Sequence, residues 1–138
     1  MSPTEGKSGG SEMLALRLTG LADSKAATEI VALDMRKLVA YTDFLVICTA
    51  RNERQARAIA DEVKLRMKQE GGLLPAGADV AEAAGWIVLD YLDCVLHVFT
   101  EEARQRYQLE DLWREAPRVD LQAAQDGVRG PLYGAAHG

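Results

Sequence analysis

The chain has 138 residues, of which 48% are hydrophobic and 6% aromatic, and its formal net charge is −5. This length predicts one domain with a single hydrophobic core. The acidic balance argues against general binding to nucleic acid, so we expect little direct contact with it. The sequence has no run of about 18 or more uncharged apolar residues, so it predicts no membrane span.

The two ends of the chain are predicted to lie outside the folded domain. Residues 1–10 are polar and glycine-rich, without the apolar stretch of a secretion signal, and are predicted to be disordered. Residues 11–118 are predicted to form the single domain, and residues 119–138 are predicted to form a flexible tail. We expect a cytoplasmic protein with Cys48 and Cys94 as buried free thiols, because each lies in an apolar run.

The first part of the domain predicts one helix and two strands. Residues 11–27 carry leucines on one helical face, and Ser11 is the predicted N-cap. Residues 29–35 and 42–50 are largely continuous apolar runs. Such runs are typical of strands that are covered on both faces.

A second helix is predicted over residues 52–70. Asn52 can cap it, and Gln55 stands three residues later, which is the spacing of a capping box. Alanine, isoleucine, valine and methionine then recur at helical spacing, and two glycines end the pattern. The stretch GLLPAGADVAEAAG, residues 72–85, predicts a loop that contains a short edge strand at Leu73–Leu74.

Residues 86–100 read WIVLDYLDCVLHVFT and predict a hairpin. Side chains alternate along a strand. With an even-numbered turn at Leu92, one face carries a mixed set: Trp86, Val88, Asp90, Val95, His97 and Phe99. The opposite face is apolar apart from one tyrosine hydroxyl and predicts the core: Ile87, Leu89, Tyr91, Cys94, Leu96 and Val98. We expect a helix or a partner protein to cover the mixed face.

A third helix is predicted after the hairpin. Thr100 can cap it, and Glu101 and Glu102 stand in its first turn, where the helix dipole favours acids. The helical pattern continues through a kink near Leu109 to Glu115. The element order is then α-β-β-α-β-β-α, and the predicted class is α/β, with a small mixed sheet and flanking helices.

The C-terminal half carries most of the acidic charge. Between residues 79 and 120, ten acids stand against four arginines. Such a field attracts a basic partner. Solubility is the alternative explanation of the same charge.

Asp90 and Asp93 are the candidate metal ligands of an enzymatic alternative, a metal-dependent nucleotidyltransferase. Neither GxxxxGK[ST] nor GxGxxG occurs in the sequence to hold phosphates. Asp90 and His97 are near-diagonal neighbours that can hydrogen-bond, but Cys94 lies on the opposite face and completes no triad. Two cysteines and two histidines without ligand spacing do not predict zinc. The sequence therefore predicts no catalytic residue, no metal and no cofactor.

Three blocks of the sequence resemble the ribosomal silencing factor family, also called RsfS or Iojap. The blocks are TDFLVICTARNERQARAIADEV from Thr42, GWIVLDYLDCVLHVFT from Gly85, and EEARQRYQLEDLW up to Trp113. The resemblance covers roughly residues 12–118. It is specific, because the three blocks occur in the expected order and spacing.

The resemblance implies a fold similar to nucleotidyltransferases without their catalytic apparatus. It also implies binding to a basic protein of the large ribosomal subunit, number fourteen, on the intersubunit face. Such binding would block joining of the small subunit and repress translation when nutrients are short. Family members also tend to form homodimers. A role in large-subunit maturation is an open alternative, because it needs the same docking.

Eight residues are the candidate partner-binding residues: Trp86, Asp90, Asp93, His97, Tyr107, Glu110, Leu112 and Trp113. We expect the two tryptophans to be apolar anchors, the acids to meet Lys or Arg, and His97 to hold Asp90. Two features depart from many relatives, which have glycine at Leu92 and basic residues in the loop 75–84. A tight turn disfavours leucine, so Leu92 is expected to force another turn type or to pack against something.

Overall fold

The computed structural model describes residues 3–81 and 85–122. The elements are α1 (Pro3–Ser24), β1 (Thr28–Asp34), β2 (Phe44–Ala50), α2 (Glu53–Gly71), β3 (Gly77–Ala81), β4 (Trp86–Asp90), β5 (Cys94–Thr100), α3 (Glu101–Tyr107) and α4 (Leu109–Leu112). The strands form one sheet in the order β1-β2-β5-β4-β3, with β2 and β5 parallel and the other neighbours antiparallel. This confirms the predicted α/β class with a mixed sheet, whereas the likeness to nucleotidyltransferases stays a prediction.

Both faces of the sheet are covered, which explains the continuous apolar runs of the central strands. All seven residues of β2 are buried. One face packs against α1 and α2 in the larger core cluster, which includes Leu18, Ile59, Val46 and Leu96. The other face packs against the segment from α3 onward in a smaller cluster, which includes Phe99, Ile47, Ala103 and Ala116. The smaller cluster is the one that the hairpin's mixed face joins.

Helix α1 begins earlier than the sequence predicts. It starts at Pro3, where disorder was expected over residues 1–10, and it ends at Ser24. Ser11, the predicted N-cap, is instead buried inside the helix, and its carbonyl accepts the thiol hydrogen of Cys94. Glycine and serine have low helix propensity, so the first turns of α1 do not follow from local sequence preference.

The capping pattern predicted for the second helix is confirmed. The Asn52 side chain accepts the Gln55 backbone N–H at 2.8 Å, and the Gln55 side chain accepts the Arg51 N–H at 2.6 Å. Gly72 ends α2 in the left-handed conformation, with φ 66°. The structure therefore places this helix within one residue of its predicted ends.

The edge strand lies elsewhere than predicted. Leu73 and Leu74 are exposed, and the strand β3 follows them at Gly77–Ala81, where it pairs antiparallel with β4. Its residues are mostly small, so they carry little alternation of apolar and polar side chains. Pairing with β4, a tertiary interaction, decides the conformation here.

The helical segment after β5 is interrupted, in contrast to the prediction. The chain that follows it also packs further along the core than predicted. Gln108 adopts φ 46° and separates α3 from the short α4, so no helix continues to Glu115. The backbone N–H of Val119 donates to Ala32, and Leu121 packs against the larger core cluster. Residues 123–138 of the predicted tail lie outside the described residues. None of the described helices is long and apolar enough to cross a bilayer.

Candidate functional site

The hairpin of β4 and β5 has the predicted side-chain faces. Trp86 pairs with Phe99, Val88 with His97, and Asp90 with Val95 across the ladder. Partners in such a ladder project their side chains to the same side of the sheet. The structure thus confirms the mixed face, and α4 and Trp113 pack over part of it.

Aromatic rings cluster around Trp86 on this face. Its ring lies 5.1 Å from that of Phe99, 4.7 Å from that of Tyr107 and 5.8 Å from that of His97. Phe99 is fully buried, whereas 41% of Tyr107 is exposed. The cluster therefore runs from the core to the surface and fixes the orientation of the Trp86 indole.

His97 forms its hydrogen bond with the Trp86 indole and not with the neighbouring Asp90 carboxylate. The Trp86 indole N–H donates to His97 Nδ1 at 3.1 Å, so the ring proton of a neutral imidazole is on Nε2. Burial lowers the pKa of His97 to about 4, although the charge of Asp90 acts in the opposite direction. The expectation that His97 holds Asp90 by a hydrogen bond is wrong: the hydrogen bond of His97 is to Trp86, and that of the Asp90 carboxylate is to the Leu92 backbone N–H at 2.8 Å.

The turn between the two strands is unusually tight. Leu92 has φ 70°, and the Asp93 N–H donates to the Tyr91 carbonyl at 2.9 Å across it, which is the pattern of a γ-turn with a strained central residue. The Asp93 carbonyl accepts the N–H groups of Asp43 and Phe44 and so ties the turn to β2. Leu92 was expected to force another turn type or to pack against something. The turn is of the γ type, but Leu92 keeps the positive φ that leucine disfavours, and 62% of it is exposed.

An open groove of about 520 Å³ lies between the mixed face and α4. It is lined by Tyr41, Leu45, Trp86, Asp90, Leu92, Val95, His97, Leu109, Leu112 and Trp113. Five of the eight candidate residues meet here, namely Trp86, Asp90, His97, Leu112 and Trp113. Aliphatic and aromatic side chains dominate, and Asp90 is the one carboxylate among the described residues that line the groove. This docking groove, as we call it below, is the candidate functional site.

Five lining residues were not predicted as site residues: Tyr41, Leu45, Leu92, Val95 and Leu109. Leu45 and Val95 are buried, whereas Tyr41 and Leu92 are exposed. Tyr41 is 66% exposed and lies in the loop before β2, far from the hairpin in sequence. In the sequence, Leu92 stands out only because leucine is unusual in a tight turn. No sequence pattern indicates Tyr41, because its position in the groove depends on how the loop passes the hairpin turn.

Three candidate residues do not line the docking groove. Tyr107 packs against Trp86 at its border with the rings tilted, and Asp93 lies in the hairpin turn. Glu110 points to a different network, where its carboxylate accepts Arg104 at 2.8 Å and lies 3.5 Å from Arg118. The hydrogen bond from Arg104 lowers the pKa of Glu110. Glu110 is therefore engaged within the chain, and its expected role as an acid presented to a partner stays a prediction.

The described residues offer no ready-made metal centre. Within residues 3–81 and 85–122, no three His, Cys, Asp or Glu side chains are grouped to hold an ion. Cys48 and Cys94 are free and buried, as predicted, and burial raises the pKa of both thiols. Thiols in this state are poor nucleophiles.

The fold matches a solved structure. A crystal structure of a protein from Bacillus halodurans shares 38% sequence identity, covers 79% of this chain and 97% of its own, and superposes with a TM-score of 0.66. The same architecture is thus present in an experimentally determined relative.

The amino-acid sequence also matches a family model and several curated proteins. The model described as "Ribosomal silencing factor during starvation" matches residues 10–133. The ribosomal silencing factor RsfS of Halalkalibacterium halodurans is 39% identical over 111 residues, which are 80% of this chain and 93% of that protein. The Bacillus subtilis RsfS is 37% identical over 99 residues, 72% of this chain and 83% of that protein. The chain therefore belongs to the ribosomal silencing factor family, RsfS.

Proposed function

We propose that the protein represses translation by steric occlusion. It binds the large ribosomal subunit through the basic ribosomal protein number fourteen on the intersubunit face and blocks joining of the small subunit. Membership of a family of silencing factors, which are regulatory factors rather than enzymes, supports this proposal. The observation that carries it is the docking groove, an open and mainly apolar surface beside the smaller core cluster.

The chemistry of the docking groove fits a basic protein partner. Apolar anchors such as Trp86 and Leu112 supply the area that a protein interface needs at its centre. Asp90 adds one carboxylate, and no Lys or Arg is among the described residues that line the groove. With a net charge of −5, the protein as a whole also attracts a basic surface.

Co-sedimentation with isolated large subunits tests the proposal. Leu112→Arg places a cation in the docking groove at a side chain that is 69% exposed, so the fold is expected to survive. The matched control is Leu65→Arg on α2, at a leucine that is 50% exposed and does not line the groove. We expect Leu112→Arg to weaken binding about tenfold or more and the control to leave it unchanged.

The mechanism needs a second measurement. Adding small subunits to large subunits saturated with the protein should yield fewer joined ribosomes in a sucrose gradient, and Leu112→Arg should restore joining. Binding that leaves joining unaffected would contradict occlusion. Binding restricted to immature large subunits would favour a role in maturation. Homodimer formation, which the family resemblance implies, stays a prediction.

A further inference from the structure

Leu92 holds a backbone conformation that leucine disfavours. Its φ of 70° lies in the left-handed region, where glycine or asparagine is the favoured residue. Hydrogen bonds fix it there, because the Asp90 carboxylate accepts the Leu92 N–H and the Asp93 N–H donates across the turn to Tyr91. The turn geometry therefore does not explain why a leucine is present.

Core packing does not explain Leu92 either. Its side chain is 62% exposed, in contrast to the buried leucines of the hairpin core face. It lines the docking groove together with Leu112 and Tyr41, which are 69% and 66% exposed. Three separate segments thus bring three exposed apolar side chains to one groove, and such convergence marks an interaction surface.

We propose that Leu92 is a specificity-determining contact of this protein. Together with Leu112 it clasps an apolar side chain of the basic ribosomal protein, while Asp90 accepts a hydrogen bond from a Lys or Arg beside that side chain. This inference rests on the proposed function and deepens it. Complementary charge argues for this occupant, because a groove with a carboxylate and without a described cation suits a basic partner better than a second copy of an acidic chain.

The Asp90 carboxylate can serve the turn and the partner together. A carboxylate has about four acceptor positions, and the bond to the Leu92 N–H is on Oδ1. The same side chain that sets the turn therefore also presents negative charge beside Leu92. Strained backbone positions cluster at functional sites, so the positive φ of Leu92 is consistent with a contact role at the surface.

Three substitutions at Leu92 separate the side chain's contact from the turn's stability. Leu92→Gly and Leu92→Asn suit the positive φ but remove the apolar contact, whereas Leu92→Met retains it. The matched control is Leu74→Asn, at a loop leucine that is 67% exposed and does not line the docking groove. The measurements are the dissociation constant for isolated large subunits by co-sedimentation and the thermal midpoint by circular dichroism.

We expect Leu92→Asn and Leu92→Gly to raise the dissociation constant about tenfold, with a thermal midpoint at or above that of the wild type. Leu92→Met should stay within about twofold of wild type, and so should the control. Weaker binding without loss of stability is not expected from a residue with a purely structural role.

The outcomes distinguish this inference from the function beneath it. If the Leu92 variants bind as wild type does while Leu112→Arg binds weakly, the inference is overturned and the proposed function stands. If the wild type does not sediment with large subunits, both are overturned. If the variants change only self-association in analytical ultracentrifugation, a second copy occupies the groove and the inference is overturned.

Discussion

Gly85 connects the start of β4 to the start of α3 in a way that only glycine allows. Its φ is 68°, and a Cβ built on it would overlap the Thr100 hydroxyl. That hydroxyl accepts the Ala103 N–H and caps α3, while the Gly85 carbonyl accepts the Thr100 N–H at 2.8 Å. An added methyl group would therefore strain both a backbone angle and a helix cap.

We predict that Gly85→Ala lowers the free energy of unfolding by about 2–4 kcal/mol, combining the left-handed penalty with the steric clash. Urea denaturation measures it. Gly20→Ala is the matched control, because a Cβ at that helical position meets nothing within 4 Å. The control should gain about 0.5–1 kcal/mol from improved helix propensity. Similar effects of the two substitutions would contradict this account of Gly85.

His97 should make folding stability depend on pH. Its folded pKa of about 4 lies below the ordinary 6.5, so between these values the unfolded state binds the proton and the folded state does not. Stability is therefore highest above pH 6.5 and falls as the pH is lowered toward 4. Between pH 7 and 5 the loss amounts to about 2 kcal/mol.

The matched variant for this pH dependence is His97→Asn, whose amide oxygen can accept the Trp86 indole N–H without titrating. We predict a smaller loss of stability from pH 7 to 5 for the variant than for the wild type, measured by urea denaturation at each pH. Equal losses would mean that groups other than His97 cause the pH dependence.

At the scale of elements, the hairpin was predictable and the edge strand β3 was not. A period of two and a wholly apolar core face fix the register of β4 and β5, since a slip of one residue would bury Asp90 and His97 on the core side. β3 has mainly small residues, and its strand conformation depends on antiparallel pairing with β4. A strong alternation of apolar and polar residues predicts a strand from the sequence alone. Where that alternation is weak, pairing with a neighbouring strand decides whether a strand forms.

The candidate site shows the same division. Trp86, Asp90 and His97 share one face of the sheet because side chains alternate along a strand, so their proximity could be predicted from the sequence. The roles of Glu110 and His97 could not be predicted in this way. Glu110 meets Arg104 only because α3 ends at Gln108 and the chain turns back, and His97 accepts from Trp86 because of side-chain rotamers.

Arg104 fastens α3 and α4 to the sheet. Its side chain is only 10% exposed, and it donates to the Glu110 carboxylate, the Thr49 hydroxyl and the Glu29 carbonyl. These bonds join the segment after β5 to β1 and β2. Arginine is suited to this position, because its planar fork can donate to several acceptors at once.

We predict that Arg104→Gln lowers the free energy of unfolding by about 2–3 kcal/mol, because Glu110 loses a charged partner in a partly buried site. Arg106→Gln, at an exposed position on the same helix, should change the free energy of unfolding by less than about 0.5 kcal/mol.

The contribution of Arg104 to stability should also depend on pH. Because Arg104 lowers the pKa of Glu110, the stabilisation by this ion pair is present at neutral pH and is lost as acid protonates the carboxylate. The difference in free energy of unfolding between wild type and Arg104→Gln, measured by urea denaturation, should therefore become smaller below pH 4.5. A difference that stays constant with pH would contradict this account of the Arg104–Glu110 pair.

At the scale of the whole molecule, the two cysteines report whether the core opens as one unit. Cys48 and Cys94 lie on the neighbouring central strands β2 and β5, in the larger core cluster beneath α1 and α2. Neither side chain is exposed, and the Cys94 thiol donates to the Ser11 carbonyl of α1. A thiol reagent can reach them only when this layer of helices opens.

We predict that both thiols react with a disulfide reagent at pH 8 at least about a thousandfold more slowly than in the urea-unfolded chain, because stable domains open rarely. Burial also raises the pKa of Cys48 to about 12 and that of Cys94 further, which suppresses the thiolate. Cys48→Ala and Cys94→Ala isolate the rate of each remaining thiol. Since one packed layer covers both, the two slowing factors should agree and should match the free energy of unfolding measured with urea. Faster reaction of Cys94 alone would show that α1 lifts from the sheet by itself, and cooperative opening of the core would then be wrong.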